Sequence, residues 1–264
     1  MPVVDNHCHI DMARHGEPAP DVEAILREAR AVGVDRVVHI GCSVPEAEDA
    51  VALAEAHPAV LAGVALHPNE TPALAEGGEL DAAIDRIAEL AAHPRVRTVG
   101  ESGLDYYRTG PEGREAQQHS FRRHIAMAKW LDLPLQIHDR DAHGDVLRIL
   151  REEGAPQRTV FHCFSGDLEM ARQCVAEGYF LSFSGTVTFK NARELRDALS
   201  VTPLDQVLVE TDAPYLTPMP HRGAANAPYL MPYTIRSMAD VLNISVPQLA
   251  EAVSANAERL YGPW

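Results

Sequence analysis

This sequence predicts an α/β chain folded as a (β/α)8 TIM barrel, with residues 1–264 forming one domain. Three observations point there. Short apolar, β-branched runs alternate with Ala/Leu/Glu/Arg-rich amphipathic stretches along the whole chain. Eight such alternations with short connections fit into 264 residues, the size of an eight-unit barrel. Residues suited to chemistry fall at the C-terminal ends of the apolar runs, which is where barrels place their active sites. A doubly wound open sheet is the alternative.

The apolar runs are PVV (2–4), RVVHIG (36–41), LAGVAL (61–66), VRTVG (96–100), LPLQI (133–137), TVF (159–161), YFLSFS (179–184) and VLV (207–209). Helices are expected over 21–32, 45–56, 79–92, 112–131, 142–153, 168–177, 191–199 and 229–241, with a further one over 246–260. Asp21, Asp141, Asn191 and Ser245 are expected helix starts, because their short side chains can accept from unpaired first-turn N–H groups. Gly33, Gly154 and Gly178 stand where helices should stop. The longest irregular stretch, TPMPHRGAANAP (217–228), follows the last strand, and ordered loops of this length are often functional.

Residues 5–9 read DNHCH. On a strand, residues two apart share a face, so His7 and His9 project side by side while Cys8 points away. Neutral imidazole is the commonest protein metal ligand, and paired imidazoles suit a divalent ion. The other run ends add to this. Run 3 ends in His67, run 4 leads into Glu101, run 5 ends in His138 and run 6 in His162, while run 8 ends in Glu210-Thr211-Asp212. Parallel strands would open all of these onto one face. His15, His39, His57, His93, His119, His124 and His143 fall on helices, in loops or mid-strand, and are read as surface or packing residues.

Composition narrows the function classes. The chain is 46% hydrophobic and 23% charged, as expected for a globular protein with a large core. A net charge of −15 argues against a broad basic surface for long duplex DNA, but not against a nucleic acid bound locally at a metal site. Cys8, Cys42, Cys163 and Cys174 include no C-x-x-C pair and are read as small packing residues in a reducing cytoplasm. No basic segment followed by a long apolar run begins the chain, so no signal peptide is expected. No membrane span is expected either, nor an obligate protein partner.

Seven segments, in order and spanning nearly the whole chain, carry a family resemblance: DNHCHID (5–11), GVALHP (63–68), VGESGLDYYR (99–108), PLQIHDRDAH (134–143), FHCFSG (161–166), SGTVTFKNA (184–192) and LVETDAPYLTPMPHRG (208–223). The chain resembles the TatD family of metal-dependent hydrolases and deoxyribonucleases, within the amidohydrolase-like barrels. The resemblance implies a first divalent ion on His7, His9, Glu101 and Asp212, and a second on Glu101, His138 and His162, with Glu101 shared. It also implies that Asp212 and Glu101 are catalytic, Asp212 accepting the proton of the attacking water. Zn, Mn or Mg would suit these ligands.

Two divalent ions outweigh two carboxylates and a hydroxide, so the immediate site stays positive within an acidic chain. Arg222 would add a phosphate fork and His67 a hydrogen bond, which makes both substrate-binding candidates. The expected function is a binuclear deoxyribonuclease cleaving phosphodiesters at DNA ends or in short single strands by metal-activated water. The chain departs from the family in its loops. Ala224 and Ala227 stand where members commonly have a basic residue and a glutamate, Asn69-Glu70 follows His-Pro, and Ser102 replaces an aliphatic residue. These changes keep a second enzyme reading open, hydrolysis of an amide, lactone or aminoacyl ester. A protein that only stores metal fits less well, since structural zinc sites are usually closed, Cys-rich, four-coordinate shells.

Overall fold

The computed structural model describes residues 2–14 and 18–264. In chain order the elements are β1 (Val3–Cys8), α1 (Val22–Ala31), β2 (Val34–Gly41), α2 (Val44–Ala56), β3 (Val60–Val64), α3 (Thr71–Glu76), α4 (Leu80–Ala91), β4 (Val96–Asp105), α5 (Arg114–Leu131), β5 (Leu135–Arg140), α6 (His143–Glu153), β6 (Thr159–Phe161), α7 (Leu168–Ala176), β7 (Phe180–Phe183), α8 (Arg193–Val201), β8 (Val207–Val209), α9 (Met231–Leu242) and α10 (Val246–Tyr261). The eight strands form one sheet whose spatial order is the chain order, as a (β/α)8 barrel requires. The chain divides into two compact units, residues 1–39 with 163–264 and residues 40–162.

In the first unit, β1 pairs in parallel with β2, and β7 with β8. The ends of β1 and β8 also meet. Asp212 N donates to His7 O at 3.0 Å, and His9 N donates to Ala213 O at 2.7 Å. Helix starts follow the expected chemistry at Asp21, whose carboxylate accepts from Ala24 N, and at Ser245, which forms a capping box with Gln248. Asn191 is not a cap. Residues 185–188 form a tight 3-10 turn, and α8 begins at Arg193 after Ala192. His15, read from sequence as a surface or packing residue, lies outside the described residues.

In the second unit, β3 to β6 pair in parallel in succession. Two strands run further than their apolar stretches suggest. β4 continues to Asp105, so Glu101 lies within it, and β5 continues to Arg140, so His138 is a strand residue. The Gly residues of VGESG explain the first extension. Gly103 has φ 154°, and a Cβ there would meet the carbonyl oxygen of His138 at 2.0 Å, so only glycine lets β4 lie this close to β5. The second extension moves a helix start. With β5 extended to Arg140, Asp141 takes a left-handed turn (φ 56°) and α6 starts after Ala142, so Asp141 does not cap it. Helix α3 was not expected; Pro72 sits in its first turn after the turn Pro68–Glu70.

His124, on α5, shows how this unit uses a buried imidazole for structure. Its Nε2 accepts from Leu66 N at 3.1 Å, and its Nδ1 lies 2.8 Å from Ser120 O, so Nδ1 carries the proton. Burial pushes its pKa down to about 4. An unfolded histidine titrates near 6.5. The neutral ring therefore contributes stability above about pH 6.5 that is lost as pH falls toward 4, about 3 kcal/mol in all. His124→Gln should reduce this acid sensitivity by that order, read by denaturant unfolding at pH 7 and pH 4.5. Equal pH slopes for the two proteins would show that His124 is not the group responsible.

Candidate metal centre

The first unit gathers three of the expected ligands. His7 lies in β1 one residue before its end, His9 follows the strand, and Asp212 lies three residues past β8. Asp212 Oδ1 stands 3.9 Å from His7 Nε2 and 3.7 Å from His9 Nε2. The two rings meet edge to face with centroids 5.2 Å apart. One ligand atom from each of the three residues lies within 4.8 Å of the others, a spacing at which a single ion can take all three. Cys8 points the other way, its thiol on Val38 O, as strand alternation requires.

The support for this set is polar and buried. Asp5 accepts from Thr211 N at 2.9 Å and from Thr211 Oγ1, holding the residue before Asp212. Burial raises the Asp5 carboxyl to about pH 7 against these bonds. Asn226 donates from one amide to Thr211 O (2.8 Å) and Tyr215 O (2.7 Å), tying the 217–228 loop to the end of β8. Sequence reasoning missed Asn226, although it sits between the two altered positions Ala224 and Ala227. Arg222, on the same loop, is exposed. Its guanidinium lies over the Phe189 ring, 4.4 Å from the centroid, and no carboxylate among the described residues pairs with it.

The second unit gathers the rest around one carboxylate. Glu101 Oε2 lies 2.7 Å from His162 Nε2, 2.9 Å from His138 Nδ1 and 3.8 Å from His67 Nε2. His138 Nδ1 and His162 Nε2 are 3.5 Å apart. Burial opposes ionisation of Glu101, but His162, His67 and His138 prevail and hold its carboxyl well below the ordinary range. His67 differs from the other two imidazoles. Its Nδ1 accepts from Asn69 N at 3.1 Å, so in the neutral ring the proton is on Nε2, facing Glu101. Burial pushes its pKa down to about 3, so the ring is neutral at physiological pH.

Two residues here escaped the sequence reading. Asp105 Oδ2 lies 3.4 Å from His138 Nε2, while its carboxylate also accepts from Arg108 N (2.9 Å) and Asn69 Nδ2 (3.2 Å). Burial is outweighed by His138 and these donors, so the Asp105 carboxyl is held low. Its spacing of four from Glu101 on one strand was a usable signal, since residues i and i+4 of a strand share a face. Cys42, read as packing, places its thiol 3.4 Å from Glu101 Oε1. It follows the C-terminal end of β2, the positional rule that found the histidines.

The donor sets fit divalent ions. Both offer imidazole nitrogens with carboxylate oxygen, the mixture that suits Zn or Mn, and neither shows the Cys-rich shell of a structural zinc site. The family described as TatD related DNase matches residues 4–262. The chain belongs to the TatD family. TatD-family relatives cover it almost end to end. It is 46% identical to the metal-dependent hydrolase TatD of Mycobacterium tuberculosis (strain ATCC 25618 / H37Rv), over 98% of each chain. It is 36% identical to the metal-dependent hydrolase YabD of Bacillus subtilis (strain 168), over 97% of this chain and 98% of the relative. Among solved structures, the TatD homologue YJJV of Escherichia coli K12 superposes with a TM-score of 0.88 at 28% identity, over 98% of this chain and 97% of that one. The TatD-family assignment makes the protein a metal-dependent hydrolase with the barrel fold that its sequence predicts.

Proposed function

We propose that this hydrolase is a deoxyribonuclease that uses two divalent ions, Zn, Mn or Mg, and acts at DNA ends or on short single strands. The observation that carries this reading is the presence of two mixed nitrogen and oxygen donor sets, His7/His9/Asp212 and Glu101/His138/His162. A divalent ion held there would acidify a water molecule and draw charge from the ester. The side chains supply the rest. Asp212 takes the proton of the attacking water and returns it to the leaving oxygen. His67 presents its Nε2–H to a substrate oxygen in place of Glu101. Arg222, unpaired and exposed on its loop, receives a phosphate. Cys8, Cys42, Cys163 and Cys174 form no disulfide among the described residues, which supports a cytoplasmic setting. No described helix is long and apolar enough to cross a membrane.

The test is a screen of single-stranded oligonucleotides, blunt and recessed duplex ends and acyl esters with each metal. Cleavage of strands and ends is expected, abolished by chelator. Arg222→Ala should raise KM for DNA about 10- to 150-fold, the loss of a charge-assisted bond of roughly 1.5–3 kcal/mol, with metal content unchanged. Turnover of acyl esters with no cut in any DNA would transfer the assignment to the amide, lactone or aminoacyl ester reading, which Ala224 and Ala227 keep open.

Asp105 enters this proposal as a positioning residue. Its carboxylate stands 3.4 Å from His138 Nε2, so its charge favours that nitrogen facing Asp105 and Nδ1 facing Glu101. Asp105→Asn should weaken metal binding or activity by about 10- to 100-fold, as loss of a ligand's outer partner usually does. Metal titration alongside kcat checks it, and wild-type values for both would remove Asp105 from this role.

A further inference from the structure

Just outside the Glu101 cluster, one exposed aromatic ring carries a guanidinium. Tyr107 stands two residues past the end of β4 and is 63% exposed. Arg140 is the last residue of β5, paired in register with Asp105. The Arg140 guanidinium lies over the Tyr107 ring, 3.8 Å from its centroid. This arrangement repeats that of Arg222 over Phe189 and differs from that of several helix arginines. Arg86, Arg122, Arg123 and Arg148 on the helices all lie against carboxylates. Arg140 has no carboxylate partner among the described residues.

The pair is held in place by the residues of the cluster. Tyr106 N donates to Arg140 O at 2.9 Å, and Arg108 N donates to the Asp105 carboxylate at 2.9 Å, so the turn carrying Tyr107 is fixed to the two strands. His138 and Arg140 are two apart on β5, which sends both side chains to the same face. A flat ring and an uncompensated cation therefore stand next to Asp105 and on the strand that carries His138. Proteins that bind single strands use this combination, since any base can stack on an aromatic ring while a cation meets the backbone.

We propose that Tyr107 and Arg140 form a stacking platform that holds one unpaired base of a single-stranded DNA end beside the Glu101–His138 cluster. The proposal rests on the deoxyribonuclease reading. It selects single strands over duplex, because a base must leave its pair to stack, and it is indifferent to sequence.

The experiment uses the metal-loaded enzyme and a short oligonucleotide in which an abasic analogue is walked through the positions near the cleaved end. Tyr107→Ala should raise KM for the normal strand about 5- to 150-fold, the range of one base stack, with kcat within about twofold. Tyr107→Phe should restore the wild-type KM. At one position the abasic analogue should cost the wild type as much as the Ala variant loses, and should cost the variant nothing more. Arg140→Ala should raise KM and flatten the plot of log affinity against log salt by about 0.7. A second measurement does not use turnover: 2-aminopurine at that position should be quenched on binding to wild type in chelator, and not on binding to Tyr107→Ala. Equal KM values and equal quenching for wild type and Tyr107→Ala would overturn the platform while leaving the nuclease reading in place. Failure of the wild type to bind or cut any oligonucleotide, with acyl esters turned over, would overturn both.

Discussion

Asp212→Asn is expected to lose about 10²- to 10⁴-fold in kcat while retaining its metal, the range that a positioned general base supplies. Asp212 adopts a left-handed backbone (φ 53°), a conformation that asparagine accepts as readily as aspartate, so the exchange leaves the turn after β8 intact. Thr211 stays fixed by Asp5 and Asn226. The amide keeps one oxygen near His7 and His9, and those two imidazoles remain to hold an ion. What disappears is a basic oxygen for the proton of the attacking water. The check is metal content by elemental analysis together with kcat at saturating metal. If Asp212 only positions an ion, added metal will restore the rate, and full rescue would refute its role as base.

Glu101→Gln should be at least as damaging, but through metal affinity. Glu101 is buried at the centre of three imidazoles, with His162 and His67 both facing its carboxylate. Glutamine keeps the shape and removes the charge. Loss of an outer partner of a ligand typically weakens metal binding about 10- to 100-fold, and loss of the central carboxylate should cost no less. Wild-type protein saturated with Zn or Mn is expected to carry two ions per chain, and the Gln variant fewer at the same free metal. A firm ceiling of one ion in the wild type would overturn the two-ion reading. A Gln variant with wild-type affinity and kcat would remove Glu101 from the centre.

The histidines were legible because the signal is local. His7 and His9 share a strand face by alternation, and His67, His138 and His162 each fall at or near the end of an apolar run. Asp105 was legible in principle by the same alternation from Glu101, but its role depends on His138 approaching from the neighbouring strand. Cys42 met the same positional rule at the end of β2 but not by residue type, and Asn226 gave no comparable signal. A cysteine after a strand reads as packing until a carboxylate is found beside it, and an asparagine in a long loop reads as a turn residue until its amide is found on Thr211 O and Tyr215 O.

The sequence by itself determined the eight strand-helix alternations, the family, and which side chains are candidates, since periodicity, turn residues and ordered motifs are properties of neighbouring residues. Tertiary structure decided how far each strand runs and what each polar group meets. β4 continues through Glu101 because Gly103 leaves room for the His138 carbonyl, a condition that exists only once β5 lies beside it. His67 is a neutral donor because Asn69 N occupies its Nδ1 and burial removes water from the ring. Arg222 lies on Phe189 and Arg140 on Tyr107 because folding brings cations to rings far away in sequence. Those choices depend on distances between residues distant in the chain, which no local pattern encodes.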